Sequence, residues 1–217
     1  MHRANFDPLE RDMMRATPES PRMFESDFAD FFSRTPWFMV LVIWIPIVVA
    51  LIGYGVLAAD VAVHWAVLQL VCGWFFWTAA EYWLHRTLFH WQPDFALGKR
   101  FHFIIHGVHH TWVNDKYRLV MPPAAGFMIA SVFWVGAKGL AGLLSVWLEP
   151  SWIYVFFGGF LAGYINYDVT HYAMHHVKLK SKRLKRLRGH HMNHHFNDHD
   201  RKYGITTLFW DRLCGTL

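Results

Sequence analysis

VAVHWAVLQLVCGWFFWTAAEYWLHRTLFH, residues 61–90, joins a membrane-spanning pattern to a histidine cluster. From Val61 to Leu84 the only charge is Glu81, and a helix of that length crosses the hydrocarbon core of a bilayer. His85 and His90 follow at its end. Immediately upstream, Trp37 to Ala59 (WFMVLVIWIPIVVALIGYGVLAA) has 23 residues and no charge, roughly 34 Å of helix. The two runs predict a transmembrane hairpin. Composition agrees: 54% of the 217 residues are hydrophobic, and 12 Trp with 19 Phe suit bilayer interiors and interfaces.

A second apolar block begins at Pro122 and Pro123, a favourable helix start, and runs to about Leu148. Lys138 and the glycines 136, 139 and 142 interrupt it, and periodicity leaves open one long helix or a helix followed by a re-entrant segment. Trp152 to about Thr170 returns across the bilayer and delivers His171 at its end. The expected fold is therefore an all-α integral membrane protein, four transmembrane helices capped by a helical, histidine-rich dimetal domain. Loop charge sets the orientation. Seven basic residues and no acidic one lie between Val177 and His190 (Lys178, Lys180, Lys182, Arg183, Lys185, Arg186, Arg188), against a single Lys on the opposite turns. By the positive-inside rule both termini and all the histidine clusters are cytoplasmic. The basic run reads first as an anchor to anionic headgroups and second as a dock for an acidic electron carrier. No nucleic-acid module accompanies it. Residues 1–36 read as a polar arm, partly disordered or an interfacial helix, without a signal-peptide core, ahead of a membrane-embedded domain at 37–217. Cys72 and Cys214 suggest no disulfide framework.

Fourteen of the sixteen histidines fall between His85 and His199, in HRTLFH, HGVHH, HYAMHH and HHMNHH. Histidines three or four apart on a helix are offset by about 60° or 40°, so each cluster turns several imidazoles the same way. Packed imidazoles repel when protonated and need partners when neutral, and a transition metal satisfies both demands. Ten are candidate ligands: His85, His90, His106, His109, His110, His171, His175, His191, His194 and His195. Ten exceed the capacity of one ion, and two closed tetrahedral zinc sites need only eight. About five per metal leaves room for dioxygen or water, which favours a reactive dinuclear centre. His85 and His90, five apart, share a face only if the helix ends or bulges between them. His102, His176, His190 and His199 are expected around the site or at the surface, and His2 and His64 away from it. Glu81 and Asp168, one turn ahead of His85 and His171, are candidates to orient those rings, with a solvated helix-end charge the alternative for Glu81.

At these residues the chain resembles the catalytic domain of the fatty acid 2-hydroxylases, which hydroxylate the acyl chain of ceramides, within the fatty acid hydroxylase and sterol desaturase superfamily. The resemblance covers about residues 35–217 and rests on EYWLHRTLFH (Glu81–His90), HFIIHGVHHTWVNDKYRLVMPP (His102–Pro123), YDVTHYAMHH (Tyr167–His176) and HMNHHFNDHDRKYGITTLFWDRLCGT (His191–Thr216). HxxHH is a superfamily signal, whereas DKYRLVMPP and YDxTHY are narrower. The resemblance implies two metal ions on the ten histidines, iron in the working enzyme although zinc competes for the same imidazoles. It further implies dioxygen and two electrons placing a hydroxyl at C2 of a long acyl chain, with Tyr167 and Asp168 as a pair supporting activity. No HPGG-type haem motif occurs in these residues, so electrons are expected from a separate cytochrome b5-like or ferredoxin-like protein. The substrate is then a ceramide or another long-chain lipid, and the expected location is a bacterial inner membrane, or the endoplasmic reticulum in a eukaryote.

The nearest rival reading is another superfamily oxidase, acting on a sterol, a carotenoid or an alkane. A metal transporter would place its ligands within the spans near the midplane, where this sequence has almost none. Haem is not expected, since one haem needs two axial histidines rather than ten.

Overall fold

The computed structural model describes residues 20–145 and 151–217. Its elements are α1 (Asp27–Phe32), α2 (Phe38–Gly53), α3 (Val63–Trp83), α4 (Ala96–His102), α5 (Val108–Thr111), α6 (Pro123–Leu143), α7 (Trp152–His176), α8 (Lys182–Phe196) and α9 (Phe209–Leu213). Three π-helical turns continue α2 (Tyr54–Ala58), α3 (Leu84–Phe89) and α4 (Phe103–Gly107). Among the described residues there is no strand.

Among the described residues three helical stretches are long and apolar enough to cross a membrane: Phe38–Ala58, Val63–Phe89 and Pro123–Leu143. The described residues are thus all-helical, with three candidate membrane spans. The block after Pro122 is one unbroken helix from Pro123 through Leu143; glycines 136, 139 and 142 have open space around them and do not break it. Residues 146–150, into which the expected apolar block ran, lie outside the described residues.

The fourth expected crossing, α7, is helical over 25 residues but is not among the three apolar stretches. It is the central helix, and its buried face includes Phe157, Phe160, Leu161, Tyr164 and Tyr167. Being covered by protein, it tolerates Asp168 and three histidines that a lipid-facing helix would expose at high cost. Its packing against α3 depends on Gly73 and Gly159. A Cβ on Gly159 would meet the Leu70 carbonyl carbon at 2.8 Å, and one on Gly73 would meet the Phe160 nitrogen at 2.8 Å. The two backbones therefore touch, as small residues permit between membrane helices. Above this crossing Trp77 packs edge-on against Phe160 (5.0 Å) and Tyr164 (5.2 Å). The crossing sets where the far ends of α3 and α7 emerge, and those ends carry the histidines.

Residues 1–19 of the expected N-terminal arm lie outside the described residues. Residues 20–36 pack against the body of the protein. Asp30, buried on α1, pairs with the guanidinium of Arg118 at 2.9 Å and receives the Met23 amide at 2.7 Å. Arg118 also pairs with Asp115 (3.2 Å), and the Thr35 amide bonds the Tyr117 carbonyl (2.6 Å). The opposite face of α1 leaves Phe28, Phe31 and Phe32 exposed.

Candidate metal centre

The ten histidines converge in two groups of five. His85, His90, His106, His110 and His194 form the first; His109, His171, His175, His191 and His195 form the second. Within each group one ring nitrogen per residue lies within 4.8 Å of all the others. His85 and His90 meet because the turn between them is π-helical, and the His90 amide bonds the His85 carbonyl five residues back at 3.3 Å. A π bulge brings positions five apart onto one face, which the regular helix cannot do. A second π turn, Phe103–Gly107, carries His106. Helix α5 then gives His109 to one group and His110 to the other, and α8 gives His194 to the first and His191 and His195 to the second. The groups are neighbours, the His110 and His195 rings being 4.3 Å apart.

The donor set fits metal ions. In the first group Nε2–Nε2 separations are 3.1 Å (His85–His106), 3.2 Å (His85–His90), 3.0 Å (His90–His194) and 2.9 Å (His106–His110). In the second they are 3.0 Å (His109–His171) and 2.9 Å (His171–His191, His175–His191). Nitrogens about 2.1 Å from a common ion and at right angles lie about 3.0 Å apart, the edge these groups show. His85 and His194 present bare Nε2 lone pairs, because each donates its Nδ1–H to a carbonyl, Tyr203 and Arg201 respectively, at 2.6 Å. Facing lone pairs are favourable only around a cation.

Burial, reinforced by neighbouring imidazoles, holds His106, His109, His110, His191 and His195 well below the ordinary histidine range. Burial brings His90 to about 3 and His194 to about 4. These rings are neutral at pH 7, the ligating form.

The expected roles of Glu81 and Asp168 in orienting His85 and His171 are not what the structure has. Glu81 is neither solvated nor bonded to His85. Its Oε1 accepts from the Thr206 amide (2.9 Å), the Thr206 hydroxyl (2.8 Å) and the Ile205 amide (3.3 Å). The backbone carbonyl of Tyr203 takes the place expected for a carboxylate on His85. Asp168 is buried beside Tyr164, and no protein group meets Nδ1 of His171. His102, His176, His190 and His199 fall outside both groups. Of these His190 is buried and bonds Asp211 at 3.1 Å. Asp211 had no signal in the sequence reading. Burial alone would raise its carboxyl, but His190, Thr216 and the Gly204 amide hold it below its usual value.

Beside the histidines lies a cavity of about 310 Å³. His106 from the first group and His109 and His171 from the second form one wall; Ile104, Val120, Met121, Met128 and Ile129 form much of the rest. Tyr167 and Asp168 line it, as do Phe24 and Phe32 of the N-terminal segment.

Membrane-length helices ending in two buried histidine groups beside an apolar cavity define a class: membrane proteins with a histidine-rich site suited to metal ions and a pocket suited to lipid. Within it, this chain belongs to the fatty acid hydroxylase family, whose profile matches residues 70–216. It is 41% identical to the dihydroceramide fatty acyl 2-hydroxylase FAH1 of Arabidopsis thaliana, over 93% of this chain and 82% of the relative. It is 39% identical to the ceramide very long chain fatty acid hydroxylase scs7 of Schizosaccharomyces pombe (88% and 53%) and 34% identical to the fatty acid 2-hydroxylase of Mus musculus (90% and 56%). The solved structure of full-length scs7p, in which only the hydroxylase domain is visible, superposes with a TM-score of 0.78 at 35% identity, covering 88% of this chain and 69% of that one. The resemblance read from DKYRLVMPP and YDVTHY therefore holds.

Proposed function

We propose that this protein places a hydroxyl group at C2 of the acyl chain of a ceramide or related long-chain lipid, at a dinuclear metal centre held by the ten histidines. The observation that carries the reading is the apolar cavity whose wall contains His106, His109 and His171, so that one bound chain meets both histidine groups. The relatives named as acyl 2-hydroxylases support the position of attack.

Iron held by the ten histidines would supply dioxygen activation, in which one oxygen atom enters the lipid and the other, taking up two electrons and two protons, leaves as water. The residues of the chain do the rest. Ile104, Val120, Met128 and Ile129 bind methylenes and exclude water from the reacting end. Neighbouring methylenes are chemically alike, so selection of C2 is a matter of position. Asp168 is suited to that task. It stands on the cavity wall one turn before His171, and no protein group meets its Oδ2. An N–H or O–H donor near C1 of the lipid completes that oxygen and fixes C2 beside the histidines. Tyr167, edge-on to Trp77 at 5.8 Å, shapes the wall next to it.

In this reading α7 is a fourth crossing enclosed by the other three, and the histidine groups face the cytoplasm. The basic run Lys178–Arg188 rests on anionic headgroups, and a separate cytochrome b5-like or ferredoxin-like carrier delivers electrons. The membrane is the endoplasmic reticulum, or the inner membrane in a bacterium. Lipid analysis of cells expressing the chain tests the function. The reading expects 2-hydroxy acyl lipids that vanish with His109→Ala. Oxidised sterols, carotenoids or alkanes in their place would overturn it.

A further inference from the structure

The ten imidazoles are not held alike. In the first group Nδ1 of His85 and Nδ1 of His194 each donate to a backbone carbonyl at 2.6 Å, those of Tyr203 and Arg201. In the second group Nδ1 of His171, His191 and His195 is buried and meets no protein acceptor, while His175 has a backbone carbonyl beside it, that of Val113. Both carbonyls belong to one short irregular segment, and Lys202 between them sits at φ 66°. A residue with a side chain keeps that conformation only where its surroundings fix it.

Two buried carboxylates fix it. Asp211, fully buried, accepts the amides of Tyr203 (3.0 Å) and Gly204 (2.8 Å), the Thr216 hydroxyl (2.8 Å) and His190 (3.1 Å). Glu81, one helical turn before His85 on α3, holds the amides and hydroxyl of Ile205 and Thr206 and so ties the segment to the helix that carries His85. The Lys202 amide closes the frame on the Thr216 carbonyl at 2.8 Å.

We propose that Glu81 and Asp211 are positioning residues that make the two metal positions unequal, the group of His85, His90, His106, His110 and His194 retaining its ion more tightly than the group of His109, His171, His175, His191 and His195. A carbonyl on Nδ1 fixes the tautomer, aims the ring and raises the basicity of Nε2, and loss of such a partner lowers metal affinity about 10- to 100-fold. The inference rests on the metal-binding reading above.

The test is the release of zinc from the fully loaded, detergent-solubilised protein into excess chromophoric chelator. Wild type is expected to release one equivalent fast and one slowly. His90→Ala removes the slow phase and His175→Ala the fast one. Asp211→Asn and Glu81→Gln accelerate the slow phase about tenfold and leave the fast rate alone. Merely structural damage would accelerate both. Thr206→Val, which deletes only the hydroxyl bond to Glu81, gives a smaller acceleration of the slow phase and serves if the carboxylate variants do not fold. A single release rate in wild type, or equal acceleration of both phases, overturns the inference while leaving the dinuclear reading intact. Fewer than two equivalents bound by wild type overturns that reading, and the inference with it.

Discussion

Substitution of Gly159 by alanine perturbs the site from a distance. The new Cβ would stand 2.8 Å from the Leu70 carbonyl carbon, where ordinary contact begins at 3.4 Å, so α3 and α7 must part by at least 0.6 Å. Both helices run on to the histidines, twelve residues beyond the contact at His85 on one side of Gly73 and at His171 beyond Gly159. Helix α8 and the α5 turn each supply both groups, so they cannot follow α3 and α7 at once. A metal site tolerates about 0.2 Å in its ligand distances, well under the displacement. Overpacking of this kind costs about 1–3 kcal/mol, and in a chain of this size each kcal/mol lowers the melting midpoint by roughly 2–4 °C. Thermal unfolding in detergent should show the drop, and metal analysis should show less than the wild-type content. Gly136→Ala is the control. Nothing lies within 4 Å of its Cβ position, and alanine in a helix stabilises by about 0.5–1 kcal/mol. Equal behaviour of the two variants would refute the close backbone crossing and its role in placing the histidines.

His194→Ala and His109→Ala remove ligands from different groups, so each should lower metal content by about one ion per chain, and a variant that keeps the full content would speak against its group. The metal-free protein should lose stability as pH falls below about 6.5. Its unfolded chain takes up protons there, whereas the folded His194 resists until about 4 and the more deeply buried rings resist further. A melting midpoint that stays flat between pH 7.5 and 5.5 in the presence of chelator would contradict this. Ala125→Phe introduces a ring into the cavity wall and should shift turnover toward shorter acyl chains, measured by product mass distribution, while metal content is unchanged.

Much of this architecture is legible in the sequence because its signals are periodic or compositional. Uncharged runs such as Trp37–Ala59 mark membrane helices, and HxxHH spacing marks a shared helical face. The five-residue spacing of His85 and His90 calls for a helix end or a bulge between them, and the π turn Leu84–Phe89 is the bulge. What escapes is whatever a non-local backbone supplies. His85 and Glu81 are four residues apart, which suggests a pair, yet the nearest partners of both come from residues 203–206, more than a hundred positions away. A backbone carbonyl leaves no mark in a residue pattern. Asp211 is equally silent, one carboxylate in FWDRL whose four hydrogen bonds arise only when the C-terminal segment folds over α8. The Asp30–Arg118 pair likewise joins an arm and a loop that share no pattern. The enclosed position of α7 follows from Gly73 meeting the backbone of Phe156 and Phe160 while Gly159 meets that of Leu70, and small residues in separate helices do not announce which backbone they meet.

The central claim is tested most directly by the position of oxygen on the product. The protein, reconstituted anaerobically with iron and supplied with a reductase, a carrier and a ceramide, is exposed to isotopically labelled dioxygen, and the lipid is fragmented by mass spectrometry. The account expects one labelled oxygen at acyl C2, with two irons per active chain. Labelled oxygen at another carbon, or C2 product from protein holding one iron, would contradict it.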